Sequence, residues 1–176
     1  MIQVLDKTFE VFIEEQEIQK KVRSIAEQID AQFLGEEIVF IAVLNGAFMF
    51  ASDLMRAITL DAEISFVKMS SYLGTESTGN VDELIGLNND IKGKSVCIIE
   101  DIVDTGITID KIISLLSLEQ PKAIKVCTLL YKPNAFKGNN EPDYVGFSIP
   151  NAFVVGYGLD YNEKGRNLGS IYQIKE

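Results

Sequence analysis

Histidine is absent from this chain of 176 residues. Without it, neither a Ser-His-Asp nor a Cys-His arrangement nor an ordinary zinc site can be built, and acid–base work falls to carboxylates or lysines. Cysteine is nearly as scarce. Cys97 and Cys127 each sit in an apolar strand-like run, where a thiol behaves as a small hydrophobe, so a reduced, buried pair is expected rather than a disulfide framework. No basic stripe offsets the net charge of −10, from 26 acidic and 16 basic residues. Nucleic acid and anionic membranes are therefore not expected partners. Long apolar runs are missing too: Ile38 to Leu44 and Phe48 to Ala51 are separated by Asn45 and Gly46, and no basic region followed by an apolar one opens the chain. A cytoplasmic location is expected.

With 47% hydrophobic residues the chain is long enough for one sizeable core and short for two, so a single domain, 1–176, is expected. No internal repeat, low-complexity tract or linker is visible. Ile18, Val22, Ile25, Ala26 and Ile29 share one face of a helix predicted over Glu14 to Ile29. A strand from Ile38 to Leu44, a helix from Ala47 to Ala57 and a strand from Ile64 to Met69 follow. Val96 to Ile99 read as a buried strand, Ile109, Ile112, Ile113 and Leu116 as a helix, and Ile124 to Tyr131 as another strand after Gln120-Pro121. This alternation implies an α/β fold with a mostly parallel twisted sheet flanked by helices. The polar, glycine-bearing segment 70–81 reads as a mobile loop, with a surface hairpin as its plainer alternative.

The chemistry concentrates in Val96 to Thr108, where an apolar strand runs into Glu100 and Asp101 and then into Asp104-Thr105-Gly106-Ile107-Thr108. A strand-to-helix crossover of this kind is where open α/β sheets bind ligands. Asp104 to Thr108 supply consecutive backbone N–H groups at a helix start, with Gly106 free to adopt the positive φ that curls the loop, which makes a cradle for phosphate. Glu100 and Asp101, acceptor-only when ionised, would repel phosphate but suit sugar hydroxyls or a hard cation such as Mg²⁺. A phosphorylated sugar with Mg²⁺ satisfies both halves. Part of the pattern has a plainer explanation, because Asp104 or Thr105 would also serve as a helix N-cap. Capping leaves Glu100 and Asp101 unexplained, since two buried acids without partners pay a desolvation penalty.

That stretch resembles the phosphoribosyl-pyrophosphate signature of the type I phosphoribosyltransferases. Leu44-Asn45-Gly46-Ala47, Ser71-Tyr72, Lys132-Pro133, Pro142 to Phe147, and Phe153 to Glu163 with Arg166 narrow it to the hypoxanthine-guanine family, over about residues 10 to 170. The resemblance implies a Rossmann-like core over about 36–131. A small hood would come from the N-terminal segment and about 132–176, and a flexible lid from about 70–81. It implies phosphoribosyl and 5-phosphate contacts from Glu100, Asp101, Asp104, Thr105, Gly106, Ile107 and Thr108. Pyrophosphate would be held by Leu44, Asn45 and Gly46, in a turn with a non-proline cis peptide, and by Ser71, Tyr72 and Arg166. The purine would meet Lys132, Phe153, Val154 and Asp160; Mg²⁺ would meet Glu100, Asp101 and Asp160.

Asp104 is the implied catalytic base at purine N7, and Lys132 the donor to a 6-oxo oxygen. An ammonium has donors and no acceptor, so hypoxanthine and guanine should beat adenine. The substrates implied are phosphoribosyl pyrophosphate and a 6-oxopurine, with IMP or GMP and pyrophosphate as products; the assembly implied is a homodimer or homotetramer. Asn45 departs from the family pattern, in which lysine is frequent, and predicts weaker pyrophosphate binding. A xanthine or pyrimidine phosphoribosyltransferase would share residues 96 to 108 but need a different base pocket. A non-catalytic regulator that binds phosphoribosyl pyrophosphate is the alternative of another class.

Overall fold

In the computed structural model the described residues are 1–73, 80–87 and 89–175, without the side chains of 70–73 and 80–85. Helix α1 spans Glu15–Gln32, opened by a capping box in which the Glu14 N–H donates to Glu17 Oε2 at 3.3 Å. Strand β3 (Ile38–Val43) is buried at all six positions, as the central strand of a parallel sheet must be. Helix α2 (Phe48–Ala57), strands β4 (Glu63–Leu73) and β5 (Asn80–Ile85), β6 (Ser95–Val103), helix α3 (Ile107–Ser117), β7 (Ala123–Tyr131) and β8 (Tyr144–Ser148) complete the main layer.

The sheet order is β5-β4-β3-β6-β7-β8. Five strands run parallel, and β5 is an antiparallel edge on β4. Side-chain alternation divides the core. Phe40, Ala42, Cys97 and Ile99 face α1 and α2, whereas Val39, Ile41, Val96 and Ile98 face α3. Both cysteines are free and buried, as expected. The face of α1 predicted from spacing is the face that packs: Ile18, Val22, Ile25, Ala26 and Ile29 are all buried.

A second sheet joins distant parts of the chain. Strands β1 (Ile2–Val4), β2 (Lys7–Ile13), β9 (Val154–Val155) and β10 (Ile171–Ile174) pair in the order β1-β2-β10-β9, all antiparallel. None of these three pairings, nor β8 after the polar stretch, is visible in the spacing of the helices and parallel strands. Strand β4 runs past Met69 to Leu73 and pairs Ser71 with Asp82 and Tyr72 with Val81, so part of the segment read as a loop is strand backbone. Residues 74–79, the centre of the expected lid, lie outside the described residues. Among the described residues no helix is long and apolar enough to cross a membrane.

Candidate active site

Strand β6 ends at Val103, and Asp104 to Gly106 turn the chain into α3. Gly106 is the N-cap with φ +82°, and no side chain caps the helix. The capping role open to Asp104 and Thr105 is thus corrected: the glycine makes the turn by backbone conformation, and the start of α3 keeps its N–H groups without intrahelical acceptors. A Cβ on Gly106 would stand 2.3 Å from Phe136 Cε2, so the 132–140 segment presses directly on this loop. The Lys137 N–H donates to Thr105 O at 2.9 Å, and Asp110 accepts from the Asn139 and Asn140 N–H groups at 2.8 and 3.1 Å. Thr105, Ile107 and Thr108 remain exposed on the rim. A loop clamped from behind and open in front suits an anion at a helix start.

Glu100 and Asp101 lie within β6, one step before that loop. Glu100 Oε2 is buried and receives no hydrogen bond. Burial pushes the Glu100 carboxyl well above the ordinary range, and the neighbouring Asp101 pushes it further. Burial also raises Asp101; a hydrogen bond with Glu100, the Ile102 N–H at 2.9 Å and the Arg166 charge work against that rise. Two acceptors meet here, and their contact is a hydrogen bond only when one keeps its proton. A hard cation removes that conflict, so the donor set fits Mg²⁺. Among the described residues no three acids or thiols gather at metal-binding distance, so Glu100, Asp101 and Asp160 do not form a closed cage. Mg²⁺ commonly takes one or two carboxylates and completes its shell with water and substrate phosphate.

The turn after β3 reaches Asp101 from the side. Its Leu44–Asn45 peptide is cis, as the resemblance implies. A Cβ on Gly46 would fall 1.7 Å from Asp101 Oδ2, and a Cβ on Gly158 would fall 2.0 Å from Gly46 O. Three segments therefore meet at contact distances that only glycine permits. Arg166 is held beside them: Nη1 donates to Gly158 O at 2.9 Å, and Nη2 pairs with Asp160 Oδ1 at 2.7 Å and Glu163 Oε2 at 3.3 Å. Asp160 Oδ2 also accepts from the Glu163 N–H at 2.7 Å. Asn45 is exposed at the tip of the turn.

A cleft of ≈ 320 Å³ opens between β6 and the loop before β9, lined by Asp101, Ile102, Asp104, Lys132, Ala152, Phe153, Val154, Leu159 and Asp160. Its volume lies at the lower end for small-molecule sites. Lys132 Nζ pairs with Asp104 Oδ2 at 2.7 Å; both line the cleft, the carboxylate 44% exposed and the lysine side chain 9%. Phe153 is 45% exposed and stands edge-on to Tyr161, ring centroids 5.8 Å apart, with Phe9 at 6.3 Å. The Tyr161 hydroxyl donates to Asp6 Oδ1 at 2.9 Å, which ties the β1–β2 turn to the same group.

Six residues expected from the sequence thus line one cleft: Asp101, Asp104, Lys132, Phe153, Val154 and Asp160. Gly46 of the Leu44 to Gly46 turn adjoins it through Asp101, whereas Glu100 and Thr105 to Thr108 lie outside its lining, the latter following Asp104 into α3. For Ser71 and Tyr72 only the backbone is described. Phe9, Tyr161 and Gly158 were missed as site-supporting residues. Phe9 sits in an alternating run, Lys7–Ile13, whose buried positions Phe9 and Ile13 keep the strand period.

Residues 12–162 match the model of the phosphoribosyl transferase domain. The chain is 37% identical to the hypoxanthine-guanine phosphoribosyltransferase of Aquifex aeolicus over 178 residues, covering 100% of each chain. It is 41% identical to the hypoxanthine phosphoribosyltransferase of Escherichia coli over 170 residues, 95% of this chain and 96% of that one. A crystal structure of a hypoxanthine-guanine phosphoribosyltransferase from Bacillus anthracis, with HEPES in its active site, matches with a TM-score of 0.86 at 42% identity, covering 97% of this chain and 99% of that chain.

Proposed function

The chain belongs to the hypoxanthine-guanine branch of the phosphoribosyl transferase family, and from that premise we propose that it makes IMP or GMP. Ribose 5-phosphate would pass from phosphoribosyl pyrophosphate to N9 of hypoxanthine or guanine, releasing pyrophosphate, as a purine-salvage step in the cytoplasm. The observation that carries this reading is the Lys132–Asp104 pair, 2.7 Å apart in one cleft with Phe153. A 6-oxopurine presents a carbonyl oxygen and N7 side by side, and a cation next to a carboxylate matches that edge. Lys132 donates to the 6-oxo oxygen, Asp104 takes the proton at N7, Phe153 stacks on the ring, and the Val154 backbone reads the far edge.

Glu100 and Asp101 accept from the ribose hydroxyls, and the N–H groups of Thr105 to Thr108 hold the 5-phosphate. The Leu44 to Gly46 turn and Arg166 bind pyrophosphate, and Ser71-Tyr72 cover it, excluding water from an oxocarbenium-like transition state. Glu100, Asp101 or Asp160 would hold Mg²⁺, which would supply charge neutralisation for pyrophosphate. The fold serves as one domain, with a core at about 36–131, a hood from the N-terminal segment and 132–176, and a lid at 70–81, in a homodimer or homotetramer.

The test is to incubate purified protein with phosphoribosyl pyrophosphate and Mg²⁺ plus hypoxanthine, guanine, xanthine, adenine or uracil. Nucleotide from hypoxanthine or guanine, and none from adenine or uracil, is expected. Binding of phosphoribosyl pyrophosphate without product from any base would replace the enzyme with a regulator.

A further inference from the structure

Tyr157 is the least expected residue of the loop that carries Asp160 and Arg166. Its φ of +48° sits between Gly156 at +101° and Gly158 at +100°, a backbone conformation that a side chain disfavours and that persists only where its surroundings impose it. The ring is 1% exposed, and it points away from the cleft into the packing between α1 and α2. There its hydroxyl donates to Asp53 Oδ2 at 2.7 Å. Gln19 of α1 donates its amide to the same oxygen. The acid is 22% exposed and has a 3.9 Å contact with Arg56 besides.

Both ends of this hydrogen bond lead to pyrophosphate groups. Asp53 belongs to α2, which follows directly from the Leu44 to Ala47 turn; the Ala51 N–H donates to Ala47 O at 2.8 Å, so turn and helix move as one piece. Tyr157 belongs to the loop whose next residue, Gly158, lies against Gly46 O and is bound by Arg166 on both its N–H and C=O sides: the Gly158 N–H donates to Arg166 O at 2.9 Å and Arg166 Nη1 donates to Gly158 O at 2.9 Å. The main-chain contact alone has no means of holding register, because two glycines present no side chain to interlock. The phenol–carboxylate bond provides that lock from behind.

We infer that Asp53 and Tyr157 are a positioning pair, which touches no substrate and sets the Gly156 to Arg166 loop against the Leu44 to Ala47 turn at the spacing that pyrophosphate requires. This deepens the function proposed above and rests on it. Burial and the adjacent carboxylate hold the Tyr157 hydroxyl far above its ordinary pKa, so it stays a donor throughout the working range.

The experiment measures calorimetric affinities for two probes, pyrophosphate with Mg²⁺ and ribose 5-phosphate alone, whose phosphate belongs to the Thr105 to Thr108 loop, on the parent and on Tyr157→Phe, Asp53→Ala and Asp53→Asn. Misplacement of a binding group by about 1 Å is worth up to about 10²-fold. Tyr157→Phe and Asp53→Ala should each weaken pyrophosphate binding by about tenfold or more, with ribose 5-phosphate affinity within about twofold of the parent. Asp53→Asn, which keeps an acceptor oxygen, should restore pyrophosphate binding to within about threefold. Unchanged pyrophosphate affinity in Tyr157→Phe, an equal loss for both probes, or an Asp53→Asn protein as weak as Asp53→Ala overturns the positioning role alone. A parent that binds neither probe overturns the proposed function and this inference together.

Discussion

Replacing Glu100 by Gln should stabilise the free protein at pH 8 and leave it unchanged near pH 4.5. In the parent, Glu100 Oε2 has no donor, and its neighbour Asp101 is a second acceptor. The folded-state carboxyl titrates above its unfolded value, so the stability it contributes is fully present below the unfolded pKa. That contribution is lost as pH rises through the folded one, because the folded protein must then surrender a proton it is using as a bridge. A glutamine amide supplies the bridging hydrogen permanently, without titrating. Leaving a buried polar group unsatisfied costs about 1–3 kcal/mol. For a chain of this size each kcal/mol moves Tm by about 2–4 °C. Calorimetric scans of Glu100→Gln and parent, without Mg²⁺, should therefore diverge by several degrees between pH 4.5 and 8, the variant melting higher at the alkaline end. A pH-independent difference, or a variant that melts lower at pH 8, refutes the account of a strained acid pair. Under the proposed function the same substitution should lower turnover, since the amide lacks the charge that would hold a cation.

Asp104→Asn keeps the shape of the cleft and removes the proton acceptor; steady-state turnover should fall by about 10²–10⁴, with IMP affinity retained. Asn45→Lys places a cation on the exposed tip of the turn after β3 and, under the proposed function, should tighten pyrophosphate most at low ionic strength, an effect that a salt titration should erase. Gly158→Ala drives a Cβ to 2.0 Å from Gly46 O at a position with φ +100°. It should cost about 1–3 kcal/mol in denaturant unfolding and weaken pyrophosphate at the same time. Lys132→Leu removes the ion pair with Asp104, and the ratio of kcat/KM for hypoxanthine over adenine should collapse.

The parallel layer was legible because its periodicities are strong. Five apolar positions of α1 repeat at helical spacing, and the six residues of β3 are apolar without a break. Part of the cleft was legible for a different reason: Asp101 and Asp104 follow an apolar strand, where burial makes acids costly without a use, whereas Lys132, Phe153, Val154 and Asp160 came only from the family resemblance. The second sheet was hidden because its strands are two to seven residues long and its pairings join residues far apart in the chain. Nothing local marks Ile171 as a partner of Ile13. The support behind Phe153 went unseen with it, since Phe9 and Tyr161 become neighbours only through that sheet. Loop conformation was the other blind spot. Asp104 and Thr105 had every local credential of a cap, yet Gly106 makes the turn and Asp104 turns to Lys132.

The sheet that joins the two parts of the chain also sets a timetable for synthesis. The Glu15 N–H finds Ser170 Oγ, its partner 155 residues later, and β2 lies between β1 and β10. At about 5–20 residues per second, a nascent chain waits about 8 to 30 s between the emergence of these partners. Throughout that interval Phe9, fully buried in the finished protein, lacks the strand that covers it. Val154 and Val155 of β9 wait equally for β10, so the cleft wall that follows Phe153 gains its paired strand only after the loop at the start of α3 is already in place.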